Sequence, residues 1–410
     1  MSLIDEVRAD LLVQDSDALL PPLRRGQGLA VDDVVEVTPL ASGRAVASAR
    51  LADGRTLLVP LTHAGTWRRA TPDDAMSMSA LDAPEPLQVH RLRTCPTVDP
   101  LRERGIDVDM SNDVRIIDDR VVAKWQLFRE PGSMAGPRMV AHLDAAGFAE
   151  MPDPIATVSW GEELVASFTA YLPGAEDGWE WMLQDVREHV NGRVPPPEWP
   201  QELGALTGRL HAAAAASTPV IPQPVTRGGL DDLARHFRAL THARVDAEMT
   251  AALDPWRSRF QDACALLESA TDVEVMPLHG DLHPGQFLRW REGIVVSDFD
   301  GNPLLPSRER ALPGPTAYDV AGLLRGLDHV AIAAARRADT PDAVDRGRAW
   351  ARAARERALA AYEQVPGVPD IDRALLSAFE SLSPLHEAVY AATYLPRWRY
   401  VPLTVLAGGW

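Results

Sequence analysis

Lysine is almost missing from this sequence. Of 41 Lys and Arg residues, 40 are arginine and one, Lys124, is lysine. A chain that uses arginine nearly everywhere has kept one compact ammonium, in the apolar run VVAKW. Cysteine is scarce too. Cys95 and Cys264 stand far apart and in no metal-ligand spacing, which argues against a thiolate metal site and fits a reducing compartment. Both read as small buried hydrophobes. No uninterrupted apolar run approaches the roughly 20 residues of a membrane helix. The N-terminus lacks the basic start and long apolar core of a secretory signal, so a cytoplasmic location is expected. Positive charge is in deficit, with a formal net charge of −17. That argues against nucleic acid or an anionic membrane as partner. It leaves room for a small phosphorylated ligand in a local basic pocket.

What is present is ordinary for a soluble globular chain: 46% apolar and 24% charged residues. Its 410 residues leave ample core for two or three domains. Leu3, Ile4, Val7, Leu11 and Leu12 fall at helical spacing. Short β-like runs follow at Val34 to Leu40, Arg44 to Leu51, Arg55 to Leu61 and Leu87 to Arg93, with turns at Gly43 and ADG. Residues 1–100 thus read as a strand-rich cap.

A second strand-rich unit, residues 101–172, runs IDVDM, SND, VRII, the turn Asp118–Asp119, then VVAKW. A helix is expected over Pro137 to Ala146, stopped by Gly147, and strands over Ile155 to Trp160 and Leu164 to Leu172. The order is β-β-β-α-β-β. Residues 173–410 change character. PQELGALTGRLHAAAAA, LDDLARHFRALTHARVDAEM, DPWRSRFQDACALLESA, AYDVAGLLRGLDHVAIAAARR, DAVDRGRAWARAARERALAAYEQV and DIDRALLSAFESLSPLHEAVYAATYL all carry helical spacing. The exception is Val273 to Pro306, where short apolar runs flank polar residues.

Titratable residues cluster in that exception. Phosphoryl transfer from ATP to a hydroxyl needs a carboxylate to accept the proton. It needs an oxygen ligand and a second carboxylate for Mg²⁺, and a cation for the phosphates. Protein kinases supply these as H-R-D-x-x-x-x-N, then D-F-G, with a lysine on the third strand. Here His279-Gly280-Asp281 is followed by Gln286 at the same spacing, and Asp298-Phe299-Asp300-Gly301 stands where D-F-G would stand. Lys124 ends VVAK, close to the V-A-I-K pattern. A glutamine carbonyl can replace the asparagine as a Mg²⁺ ligand.

HGDLHPGQFL followed by SDFDGNP resembles the maltokinase-related branch of the aminoglycoside-phosphotransferase-like kinases, and within it the actinobacterial glucosamine kinases. AYDVAGLLRGLDHVA, LPGAEDGWEWML and EAVYAATYLPRW extend the resemblance along the chain. It implies an α+β, bilobal protein-kinase-like fold: an N-terminal strand-rich cap, a β-rich intermediate subdomain and an α-helical C-lobe. It implies Asp281 as catalytic base, Gln286 and Asp298 as Mg²⁺ ligands, and Lys124 on the ATP phosphates. MSND matches the family's phosphate loop, which places Ser111 and Asn112 near the same phosphates. Partners are then ATP and a sugar or amino sugar, with no nucleic acid, membrane or obligate protein partner.

Two departures stand out. The candidate helix PRMVAHLDAAG has no glutamate to steady Lys124, and Glu130 lies just before Pro131. The related branch reads closer to D-F-E-G-E-P where this chain has DFDGNP, which turns the expectation away from maltose. Acceptor readers are expected beside Asp281. His283 can bind a sugar hydroxyl or support the loop. Asp300 can bind a second Mg²⁺ or the acceptor. Glu387, Tyr390 and Tyr394 fall at spacings of three and four, on one helix face. Carboxylates at Asp300 and Glu387 suit a cationic amino sugar, so glucosamine phosphorylated on its 6-hydroxyl is the expected reaction. Maltose and aminoglycosides are the alternative acceptors, and a kinase-fold binding protein is the alternative without catalysis.

Overall fold

The computed structural model describes residues 1–410 except 22–24, 26–28, 42, 96–101, 107–111, 292, 311 and 409. Ser111 of the expected phosphate loop therefore lies outside the described residues. The chain is α+β and divides into two units. One is Met1–Ala141 with Pro152–Pro173; the other is His142–Met151 with Gly174–Trp410.

The first unit carries two antiparallel sheets. Helix α1 (Leu3–Leu12) starts at a capping box in which Ser2 and Asp5 satisfy each other's backbone amides. Strands β1 (Val31–Pro39), β2 (Arg44–Leu51), β3 (Thr56–His63) and β4 (Trp67–Arg69) pair in chain order. Strand β2 is buried on both faces over Ala45–Ala49. Ala45, Ala47 and Ala49 join a core with Val7 and Leu11 of α1. Val46 points the other way, into a second core with Trp125 and Phe168.

The second sheet is made of β5 (Leu87–Arg91), β6 (Glu103–Gly105), β7 (Asp113–Ile117), β8 (Val121–Trp125), β9 (Pro154–Trp160) and β10 (Glu163–Ala170). Their spatial order is β5-β9-β10-β8-β7-β6. Strand β5, expected as part of the cap, is an edge of this sheet. Between β8 and β9 lies α2 (Ala135–Ala145), followed by Gly147 at φ 81°. Asp118 and Asp119 both adopt positive φ, 50° and 51°, which closes the β7–β8 hairpin with the twist such turns favour. Strand β8 is interior. Lys124 pairs across to Val114 on one side and Ser167 on the other. The neighbouring Trp125 is buried and donates its indole N–H to Ser77 Oγ at 3.0 Å, which pins the strand beside Lys124. Asn112 immediately precedes β7.

The second unit is mainly helical. Its helices are α3 (Gly178–Val190), α4 (Trp199–Ala214), α5 (Asp231–Leu240), α6 (Ala247–Leu253), α7 (Arg257–Ser269), α8 (Ser307–Arg310), α9 (Thr316–Arg336), α10 (Ala343–Glu363), α11 (Arg373–Thr393) and α12 (Tyr400–Leu406). The expected helix LDDLARHFRALTHARVDAEM is two helices, because Asp246 caps α6 by accepting the Met249 amide. Helices α3, α8 and α12 lie outside those expected from spacing. Two short antiparallel pairs complete the unit: β11 (Thr226–Gly228) with β12 (Val273–Val275), and β13 (Phe287–Trp290) with β14 (Gly293–Val296). Trp410 packs beside Ile332, Val401 and Val405, so the terminus is anchored in this unit.

Candidate functional site

The chemistry-bearing residues of the second unit converge on the loop from His279 to His283, between β12 and the β13–β14 hairpin. Helix α9 holds this loop with Asp319, Gly322 and Gly326, three positions on one helix face. Asp319 Oδ2 accepts the His279 amide at 2.8 Å, and Oδ1 accepts the Gly280 amide at 2.9 Å. A Cβ on Gly322 would lie 2.6 Å from the Leu282 carbonyl oxygen, and one on Gly326 2.3 Å from Pro284 Cδ. Only glycine allows helix and loop to approach so closely.

Asp319 is buried and has its own support. His211 of α4 places Nε2 3.2 Å from Oδ2, and its Nδ1 lies 2.8 Å from the Tyr362 hydroxyl on α10. Burial alone would raise the Asp319 pKa. The hydrogen bond and charge of His211, the charge of His279 and the Gly280 amide outweigh it and hold the group below the ordinary aspartate value.

His279 joins this loop to the Asp298 segment. Its Nε2 donates to the Ser297 carbonyl at 3.0 Å and its Nδ1 accepts the Asp281 amide at 3.3 Å, which fixes the tautomer. Its ring packs 5.0 Å from that of Phe299. Gly280, at φ 80°, lies so near that an added Cβ would stand 3.3 Å from Gly301 Cα. Asp298 is exposed and adopts φ 61°, a left-handed conformation uncommon outside glycine. The main-chain carbonyl of Gln286 accepts the amide of Ser297, the residue before Asp298, at 2.8 Å. Two hard oxygen donors here suit Mg²⁺, which keeps several waters and binds largely through substrate phosphates.

Asp281 is the carboxylate that looks out of this loop. Burial raises its pKa, the charges of His283 and His279 pull it back, and the carboxylates of Asp298 and Asp319 add to the rise; the net direction is up. A carboxylate made more basic in this way is suited to accept a proton. His283 Nδ1 accepts the Gly285 amide at 3.1 Å, which leaves Nε2 facing Asp281 Oδ2 at 3.7 Å and Gln286 Nε2 at 3.3 Å.

Asp281 and His283 open onto a cleft of about 620 Å³ that is also lined by Arg325, His329, Glu387 and Tyr390. The expected three-residue face of α11 narrows to two. Helix α11 ends at Thr393, so Tyr394 is its C-cap and is 53% exposed, outside the cleft lining. Asp300 is half-buried in the turn after Asp298 and also lies outside the cleft lining. Glu387 is not an isolated carboxylate. His329 Nε2 lies 2.9 Å from its Oε2, and Arg325 Nε lies 3.8 Å from its Oε1. Burial would raise its pKa, but His329 and Arg325 hold it low. In the first unit, Lys124 is half-buried on β8.

Asp319, His211, Arg325 and His329 carry no sequence expectation. One readable signal existed for the first: an aspartate followed by glycines at three and seven residues, a small-residue face within a helix.

The model of the phosphotransferase enzyme family (APH) matches residues 137–362. A glucosamine kinase of Streptacidiphilus jiangxiensis is 35% identical over 418 residues, 95% of this chain and 94% of that protein. A glucosamine kinase of Mycolicibacterium smegmatis is 34% identical over 367 residues, 82% of this chain and 88% of that protein. Among solved structures, a glucosamine kinase in complex with glucosamine, ADP and inorganic phosphate matches with TM-score 0.79 and 32% identity, over 100% of this chain and 99% of that one. A further crystal form of a glucosamine kinase matches with TM-score 0.81 and 31% identity, over 100% and 99%.

Proposed function

This chain belongs to the phosphotransferase enzyme family, and from that membership we propose that it transfers the γ-phosphoryl group of ATP to glucosamine, giving glucosamine 6-phosphate and ADP. One observation supports the site assignment above the rest: Asp281 opens on the cleft from a loop whose backbone is fixed by Asp319 and touches the Asp298 segment.

Asp281 accepts the proton of the acceptor hydroxyl. The hydroxyl oxygen bonds to the γ-phosphorus as the bond to the β–γ bridging oxygen breaks, and ADP departs. Gln286 and Asp298 would hold Mg²⁺, with Asp300 nearby for a second ion. Bound there, the metal would neutralise phosphate charge. Lys124, Asn112 and Ser111 have the proposed role of contacting the ATP phosphates. His283, Glu387 and Tyr390 read the acceptor. Among the described residues, no helix is long and apolar enough to cross a membrane.

The test is a panel of sugars offered with ATP and Mg²⁺. Glucosamine turnover with a 6-phosphate product is expected; turnover of maltose alone would refute the acceptor assignment while leaving the kinase intact. Asp281→Asn should still bind ATP and lose turnover by orders of magnitude. Near-normal turnover would remove Asp281 from its role.

A further inference from the structure

One histidine in the cleft has its protonation fixed by its neighbours. His386 precedes Glu387 on α11 and lines the cleft. Its Nε2 lies 3.2 Å from Asn302 Oδ1. The backbone sets which way that carboxamide faces: the Leu304 amide donates to the same oxygen at 2.9 Å, while Asn302 Nδ2 donates to the Tyr318 hydroxyl at 2.9 Å. The group facing His386 is therefore an acceptor, and His386 Nε2 must carry the proton. Asn302 is 2% exposed, so this arrangement is sealed from water on its side.

A neutral imidazole has one N–H, so Nδ1 is left as a bare acceptor. Burial, together with the charge of His236, pushes the His386 pKa down to about 4 and keeps the ring neutral at physiological pH. Among the described residues none donates to Nδ1. The adjacent carboxylate of Glu387 faces two basic side chains, with His329 Nε2 2.9 Å from its Oε2 and Arg325 Nε 3.8 Å from its Oε1. An arriving ammonium would compete there with an imidazole and a guanidinium. At His386 Nδ1 it would meet no competitor. A bare ring nitrogen accepts from an N–H or from an O–H, and the bond from a charged ammonium is the stronger of the two.

We propose that His386 is a specificity-determining residue whose Nδ1 accepts a hydrogen bond from the amino group of the acceptor sugar, in a tautomer enforced by Asn302. This deepens the reading of the acceptor as an amino sugar and rests on it. Asn302 follows Gly301 directly, so the residue that orients the amino-group reader is joined to the segment carrying Asp298.

The experiment compares kcat/KM for glucosamine and for glucose, which has a hydroxyl in place of the amino group, in wild type, His386→Phe and His386→Asn. KM for ATP is measured alongside. The phenylalanine variant should lower the glucosamine-to-glucose ratio about tenfold or more, the scale of a lost hydrogen bond to a charged group. KM for ATP should stay put, and the asparagine variant, which returns a carboxamide oxygen near Nδ1, should recover part of the ratio. If the phenylalanine variant does not fold, His386→Leu is read for the same ratio. An unchanged ratio in a folded apolar variant, with wild type active on glucosamine, overturns this proposal alone. No glucosamine turnover by wild type overturns the acceptor reading and this proposal with it.

Discussion

The carboxylate of Asp319 receives the amide of Gly280 at 2.9 Å, one residue before the proposed base Asp281. Its other oxygen takes the His279 amide and faces His211. All these partners point a donor at the carboxylate, so an amide in its place sets N–H against N–H on one side. Asp319→Asn should therefore lower kcat while ATP binding persists, and should cost about 1.5–3 kcal/mol of stability, the range for a hydrogen bond to a charged group. The pH dependence follows from a folded pKa below the unfolded one. The stabilisation is complete above the ordinary aspartate value of about 4 and is lost as pH falls through the lower folded value. Melting curves should show a constant gap between wild type and variant near neutrality, closing only in strong acid.

Alanine at Gly322 or Gly326 should do the reverse of what alanine does in an exposed helix. The usual gain is about 1 kcal/mol. Here the new methyl meets the Leu282 carbonyl or the Pro284 ring inside contact distance. The base loop must shift off α9. Turnover should fall in both variants, with stability unchanged or lower; a more stable, fully active Gly326→Ala would show that the loop is not held against this face.

How much of this could be read from residues alone depends on range. The motif His279-Gly280-Asp281 with Gln286 and Asp298 was legible because its members lie within 20 residues, and the fold keeps them together. The Asp118–Asp119 turn was legible because two adjacent turn-formers between apolar runs have few alternatives. Asp319 was not, because its partners lie 39, 40 and 108 residues away and only the packing of α4 and α9 on the loop joins them. Glu387 was legible as a residue but not as a charge, since Arg325 and His329 come from another helix. Tyr394 sits at the C-cap of α11, which spacing could not show because it cannot say on which residue a helix ends.

Two buried histidines should give the protein an acid-side slope of stability. The pKa values of His236 and His386 are both pushed down to about 4, in each case chiefly by burial. Between about 6.5 and about 4 the unfolded chain binds these protons and the folded chain does not. Stability is thus fully present above pH 6.5 and declines as pH falls, by up to about 1.4 kcal/mol per unit for each histidine. Their rings lie 6.4 Å apart, so the two do not titrate independently. Denaturant titrations at pH 7, 6 and 5 should show the decline, and His236→Asn should flatten it. An unaltered slope in that variant would assign the effect to other groups.

Lys124 is the last case, and its position sharpens the test. It does not fray at an edge: β8 lies between β7 and β10, with Val114 and Ser167 opposite Lys124. Trp125 beside it is buried and hydrogen-bonded. An arginine keeps the charge and, on a half-buried strand residue, should barely move the melting temperature. What changes is shape. An ammonium is a compact point charge on a flexible stem, while a guanidinium is a broad planar fork that seeks two acceptors in its own plane. If Lys124 meets the phosphates of ATP, Lys124→Arg should raise KM for ATP several-fold and slow transfer, leaving KM for the acceptor near wild type. Equal ATP kinetics would reduce the single lysine of an arginine-rich chain to an accident of composition.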